Sequence, residues 1–261
     1  MPLIEQLSLQ NARLIALCGA GGKTSLLYAL GREWAVKKEK VALTTSTHIQ
    51  AELPGGCVLW DRPDEGELLS IWRAGFTPVA GQEAGRKLKG PSDEMWAILR
   101  EAADRIVVEA DGAACHPVKW PAVWEPVIPQ YTDRVLVLCG LSALDKPLRE
   151  VCHRADLALK KRILPDGPLT EAGFAALLLR GYGRYDPLYV LNQADDGAAC
   201  TRAKSIATIL KQDGYQSTIL SLKNLSLNHE RLTDLAVVPR EKPHTGATAR
   251  EQPRDSPVIE R

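Results

Sequence analysis

Gly19-Ala-Gly-Gly-Lys-Thr-Ser25 packs glycines, a lysine and hydroxyls into one short stretch. An apolar run, Leu14–Cys18, leads into it, and a helical pattern leaves it. That order suits a phosphate cradle. Successive N–H groups of a glycine loop converge on one anion, and the positive end of the helix dipole stands behind them. Lys23 adds a mobile charge for the outer phosphates, and the Thr24 hydroxyl is a ligand for Mg²⁺. Gly19, Ala20, Gly21, Gly22, Lys23, Thr24 and Ser25 are therefore the expected phosphate contacts.

The spacing departs from G-x-x-x-x-G-K-[ST], whose first glycine would fall at Leu17, inside the strand. The shorter G-x-x-G-K-T resembles the loop of Mur-type ATP-dependent ligases and, more loosely, other variant P-loops. A dinucleotide fingerprint fits less well. Its third glycine would fall at Thr24, and the next strand ends in Thr44-Thr-Ser-Thr47 where an acid is needed.

Further groups with chemistry stand where other strands end. Ile106-Val-Val-Glu109-Ala-Asp111-Gly112 closes an apolar run with acids two residues apart, so strand alternation puts both on one side. Ligands of α/β sheets bind beyond the carboxyl ends of strands. Thr24 with Asp111 or Glu109 is expected to hold Mg²⁺; the metal role is assigned to Asp111, and Glu109 is the carboxylate that orients a nucleophilic water. Glu109-Ala-Asp-Gly112 also has D-x-x-G spacing with Glu in the first place. Thr45, Thr47 and His48 are expected to sense a γ-phosphate; strand propensity for Thr is the plainer explanation. Asn192-Gln-Ala-Asp195 has the form of the guanine reader N-K-x-D with Gln193 replacing Lys. Asp195 would accept from the guanine N1–H and amine, and Asn192 would buttress the loop and contact the base edge. The segment from Asp111 through Lys119 to Pro129 carries several prolines and two tryptophans, which predicts a stiff loop beside the sheet edge. Lys119 there is expected to meet a phosphate or an anionic substrate. Cys115-His116 and Cys152-His153 are weak candidates for thiol chemistry, since adjacent strand residues face opposite ways.

Alternating strand and helix patterns must position these groups. Strands are predicted at Leu14–Cys18, Val41–Thr45, Ile106–Glu109, Arg134–Cys139, Pro187–Leu191 and Ser217–Leu222. Several are continuous apolar runs, as in a parallel sheet covered on both faces. Helices are predicted over about 24–38, 92–104, from Thr170 onward, and 199–213, with Ser92 and Thr170 as caps. The stretch 52–90 reads as an irregular insertion between core strands, with short strands at 57–60 and near 77–80. The fold expected is one three-layer α/β domain, P-loop NTPase-like, on a mostly parallel sheet over 1–239. The polar, Pro-rich stretch 240–261 predicts a disordered tail.

With 261 residues and a formal charge of +1, the chain allows a real core and offers no electrostatic case for nucleic acid. No apolar run approaches a membrane span, and the N-terminus lacks a basic-then-apolar signature. Its six scattered cysteines form no C-x-x-C pair, which fits a cytoplasmic protein without a zinc site or a disulfide framework.

Taken together, Gly19–Ser25, Thr44-Thr-Ser-Thr-His-Ile49, Glu109-Ala-Asp-Gly112, Pro117-Val-Lys-Trp-Pro121, Glu125-Pro-Val-Ile-Pro129 and Asn192-Gln-Ala-Asp195 resemble, in type and order, the YqeC family of selenium-dependent hydroxylase accessory proteins. The resemblance covers most of residues 10–225. It implies a cytosolic P-loop-like protein that assists maturation of selenium-dependent molybdenum hydroxylases, with the hydroxylase or its molybdenum cofactor as partner. Cys115-His116 and the tail after Arg240 depart from it. The function expected is Mg²⁺-dependent binding of GTP or ATP with hydrolysis or phosphoryl transfer. A Mur-like ligase that forms an acyl phosphate and a nucleotide-switched cofactor chaperone are the alternatives.

Overall fold

The computed structural model describes residues 1–224. The expected tail and the limit at 239 lie outside them. The centre is an eight-stranded sheet. In chain order its strands are β1 Leu14–Gly19, β2 Val41–Thr45, β3 Cys57–Trp60, β4 Thr77–Ala80, β5 Arg105–Glu109, β6 Arg134–Gly140, β7 Leu188–Asn192 and β8 Ser217–Ile219. They lie side by side in the order β8-β7-β6-β1-β5-β2-β4-β3. Every neighbouring pair is parallel. The glycine-loop strand β1 is thus central, between β5 and β6.

Alternation along the strands sorts the core into two sides of the sheet. Ile15, Leu17, Leu43, Val107, Leu136 and Val190 pack with Leu26, Leu27, Leu30 and Trp34 of helix α1, Lys23–Val36. On the other side, Ala42, Ile106 and Val108 meet helices α2, Glu65–Arg73, and α3, Asp93–Ala102. Ala16, Cys18, Val137, Cys139 and Leu191 meet α4, Glu171–Tyr182, and α5, Gly197–Gln212. This is the three-layer α/β arrangement the apolar runs predict. Helix starts are set by side-chain caps: Ser92 accepts from Met95 N, Thr170 from Gly173 N and Asp196 from Ala199 N.

The stretch 52–90 holds the two short strands expected, at 57–60 and 77–80, and differs from expectation in being regular. It holds β3, α2 and β4, a βαβ unit that extends the main sheet past β2. Its remainder pairs Gln82–Ala84 and Lys87–Lys89 with His48–Gln50 in a small antiparallel sheet. Glycine and proline obscured the unit because they mark its turns, while apolar contacts drive its packing. Trp60 is fully buried and donates its indole N–H to Asp64 O at 3.0 Å.

The Pro-rich segment also differs from expectation. It crosses the carboxyl ends of the central strands, away from the edges. Pro117 O accepts from Gly140 N at 2.7 Å, Val127 N donates to Ala110 O at 2.9 Å, and Ser46 Oγ donates to Val127 O at 2.6 Å. Val118–Lys119 pairs in parallel with Cys152–His153.

Trp60→Ala should lower unfolding free energy by about 3–5 kcal/mol, as for a large aromatic removed from a core. Urea denaturation followed by circular dichroism measures it. A loss near zero would mean that 52–90 is a loose appendage.

Candidate functional site

The sharp turn from β1 into α1 needs glycine because its backbone is both left-handed and crowded. Gly21 has φ +72°, and a Cβ there would stand 2.4 Å from Gly140 N and 2.7 Å from Pro117 O. Gly22, φ +125°, caps α1, and a Cβ there would stand 2.5 Å from Asn192 Nδ2. Ala20 is buried and its N–H donates to Leu138 O, while Ser25 is exposed on the first turn of α1.

Lys23 lies back under this loop, 5% exposed. Its ammonium donates to Gly19 O at 2.7 Å and faces Asp111 Oδ1 at 3.3 Å and Glu109 Oε1 at 3.9 Å. The Thr24 hydroxyl donates to Glu109 Oε2 at 2.8 Å. The loop, its lysine, its threonine and both acids therefore converge, as expected beyond the carboxyl ends of parallel strands. Burial pushes the Glu109 carboxyl above its usual range, against the opposing pull of Lys23 and the Thr24 hydroxyl.

The two acids occupy unlike places. Asp111, expected to hold metal, is fully buried beneath the loop. Its Oδ2 accepts from Gly19 N at 3.1 Å and Tyr182 OH at 3.3 Å and pairs with Lys119 at 3.2 Å. Held at Oδ2 by Gly19 N and enclosed by two lysines, Asp111 is a brace for the loop. Glu109 stands beside the Thr24 hydroxyl, the place expected of Asp111. Lys119 also differs from expectation. Its side chain is fully buried, donates to Gly112 O at 2.5 Å and pairs with Glu125 at 2.9 Å, so it is turned inward from any substrate.

Glu125, Arg154 and Tyr182 are the residues that sequence reasoning missed. Glu125 Oε2 accepts from Ala122 N at 3.2 Å and from the Arg154 guanidinium. Burial would raise the Glu125 carboxyl, but the hydrogen bond and charge of Lys119, the Ala122 N–H and Arg154 together hold it below its ordinary 4.5. Burial and the nearby Asp111 charge push the Tyr182 hydroxyl well above its usual range. An acid between Trp124 and Pro126 was the available signal for Glu125. Arg154 and Tyr182 had none.

The hydroxyl run is used by the fold. Thr44 Oγ1 donates to Ala80 O at 2.6 Å, and Thr45 Oγ1 donates to Glu109 O at 2.8 Å while accepting from Thr47 N. Both residues are fully buried, so Thr45 ties β2 to β5 and does not reach outward as expected. Thr47 Oγ1 lies 3.3 Å from Thr45 Oγ1. His48 is exposed, paired with Lys89 in the small sheet and outside the buried cluster. The thiol candidates stay apart in character. Cys115 is exposed, Cys152 is buried with its thiol pushed up to about 12, and the His116 and His153 rings meet at 5.8 Å.

Beside the loop, Gly21, Gly22, Ser25, Asn192, Gln193, Asp195 and Lys223 line a cleft of about 590 Å³. Asn192 uses both ends of its amide, donating to Gly21 O at 2.8 Å and accepting from Leu222 N at 3.1 Å. It braces the loop, one of the two roles expected of it, and its amide is committed away from a base edge. Gln193, φ +69°, accepts from Ser142 N at 3.2 Å. Asp195 is exposed to the cleft, with Oδ1 held by Ser221 Oγ at 2.6 Å.

Two outcomes follow from the buried charges. Asp111→Asn keeps the volume but leaves Lys23 and Lys119 facing each other without the anion. It should cost about 3–5 kcal/mol in urea denaturation, as breaking a buried pair does. Glu125, with its folded-state pKa depressed, stabilises the fold above 4.5 and ceases to as pH falls through the lower folded value. Glu125→Gln should therefore flatten the fall in stability as pH drops from 4.5 downward. An unchanged slope would remove Glu125 from acid unfolding.

Comparison with known proteins rests on this geometry. The chain is similar to a curated relative named "Uncharacterized protein YqeC" from Escherichia coli (strain K12), 29% identical over 191 residues, 66% of this chain and 70% of that protein. Among solved structures, the hydrogenase maturation factor HypB from Archaeoglobus fulgidus overlaps 88% of this chain and 93% of its own, at 14% identity and a TM-score of 0.41. That likeness is too distant to bear on function. The family model described as YqeC protein matches residues 15–156, more than half of the chain. The chain belongs to the YqeC family.

Proposed function

We propose that this protein binds a guanine nucleotide with Mg²⁺ at the Gly19–Ser25 loop and hydrolyses it or transfers its phosphoryl group. The observation that carries this reading is the convergence of Lys23, Thr24 and Glu109 beneath one glycine turn at a helix start. A hydroxyl bonded to a carboxylate is a hard oxygen pair suited to Mg²⁺, which keeps several waters and takes few protein ligands. Thr24 and Glu109 would hold the ion, which would neutralise charge on the phosphates. This moves the metal-holding role first expected of Asp111 to Glu109 and leaves Asp111 as a brace. Lys23 would leave Gly19 O for the outer phosphates, and the loop N–H groups would hold the inner ones.

Guanine is favoured over adenine by Asp195. A carboxylate fixed at the cleft wall accepts from adjacent N–H groups, which the guanine N1 and amine offer together. The Asn192 brace holds the base cleft in register with the phosphate loop. The resemblance stated above supports a place for the reaction in maturing selenium-dependent molybdenum hydroxylases. Cells lacking this protein should then make a hydroxylase deficient in selenium, measured by elemental analysis of the purified enzyme.

Calorimetry tests the site directly. Lys23→Ala should weaken Mg·GTP binding at least about tenfold, the loss of one charge-assisted contact. Asp195→Asn should lower GTP affinity and admit xanthosine triphosphate. Unchanged affinity in Lys23→Ala would overturn the phosphate site, and stronger binding of ATP than GTP would overturn the guanine reading alone.

A further inference from the structure

The buried charges continue beyond the loop in an unbroken alternation. Lys23 faces Asp111 at 3.3 Å, Asp111 faces Lys119 at 3.2 Å, and Lys119 faces Glu125 at 2.9 Å. Glu125 then receives the Arg154 guanidinium, which lies over the Trp124 ring at 5.8 Å. The inner members are sealed from water, and the last is not. Trp124 is 69% exposed and its neighbour Val123 is 79% exposed. The chain of contacts therefore starts under the phosphate loop and ends on the outer surface of the Pro-rich segment.

We propose that Lys119, Glu125 and Arg154 form a relay that converts nucleotide occupancy of the Gly19–Ser25 loop into a rearrangement of the surface turn carrying Trp124. The inference rests on the nucleotide reading given above. Asp111 divides its charge between two lysines, with Lys23 at Oδ1 and Lys119 at Oδ2. Oδ1 has no hydrogen-bond donor besides this ionic contact among the described residues. A phosphate that draws Lys23 away leaves Asp111 one cation. In a site closed to water, that charge must be met by the remaining partner, because screening is weak there. Lys119 then shifts toward Asp111 and loosens from Glu125. Glu125 leans correspondingly on Arg154.

The geometry at the far end turns this shift into movement. Glu125 closes a tight turn, with its N–H donating to Ala122 O at 3.0 Å and its carboxylate accepting from Ala122 N. Trp124 sits inside that turn, between Arg154 and solvent. Glu125 O also receives the Arg184 guanidinium at 3.4 Å. A change in the Glu125–Arg154 pair must therefore move the guanidinium against the Trp124 ring, the turn, or both. Neither Arg154 nor Trp124 lines the cleft beside the loop, so the response is separable from binding.

Trp124 fluorescence reads the relay. The difference between the wild-type protein and Trp124→Phe isolates this indole from the others. Iodide quenching of that difference signal is followed while a non-hydrolysable GTP analogue is added with Mg²⁺. Calorimetry on the same samples reports binding. The expected result is a change in Trp124 quenching that saturates at the affinity calorimetry gives. In Arg154→Met the analogue should still bind, and the Trp124 change should be lost. Binding without any Trp124 change overturns the relay and leaves the nucleotide site standing. A Trp124 change that survives in Arg154→Met also overturns it. Absence of binding in calorimetry overturns the nucleotide reading and this inference with it.

Discussion

One buried carboxylate organises the site. Asp111 holds Gly19 N–H, Tyr182 OH, Lys23 and Lys119 within 3.3 Å. Each contact reaches a different part of the chain: the last residue of β1, the end of α4, the start of α1 and the Pro-rich segment. An ionised group in a closed interior is tolerated only where charge and hydrogen bonds surround it. That requirement forces these parts together. The Pro-rich segment crosses the sheet centre for the same reason, since its lysine has to reach an acid at the end of β5.

The parallel sheet makes this crowding available. All eight strands run one way, so their carboxyl ends open on one rim. Gly19, Thr45, Glu109, Gly140 and Asn192 stand on that rim in neighbouring strands. The threonines that end β2 give their hydroxyls to the backbone of adjacent strands, which holds the rim flat under the loop. Glu109 and Asp111 then divide two tasks by depth. The shallower acid meets the Thr24 hydroxyl, and the deeper one braces the turn.

Much of this was legible in the residues. Six strands were marked to within three residues, several of them by continuous apolar runs whose burial on both faces leaves no alternation to misread. The meeting of the glycine loop with Glu109 and Asp111 followed from the carboxyl-end rule for parallel strands and from period two. Local pattern failed where partners are distant in sequence. It could not show that Lys119 turns inward, because Asp111, Gly112 O and Glu125 enclose it only after the segment has folded over the sheet. It read β3 and β4 within an irregular stretch, because their turns carry the glycines and prolines while their strands are short. Thr45 looked free to reach a ligand, and the carbonyl of Glu109 on the next strand takes its hydroxyl instead. Asn192 resembled a base contact because sequence shows the amide and not the two backbone groups that consume it.

The Asn192 bridge bears on how the chain is made. It ties Gly21 to Leu222 through one side chain, so both ends of the described protein must be present before the loop is braced. A nascent chain that has emerged only through β6 already carries the glycine turn, both acids and Lys119. It lacks the brace and one wall of the cleft. Contacts of such long sequence separation form late, because loop closure must come first. Ribosome-bound fragments accordingly lack the braced loop until residue 222 has cleared the exit tunnel, and synthesis itself times the fixing of the glycine turn.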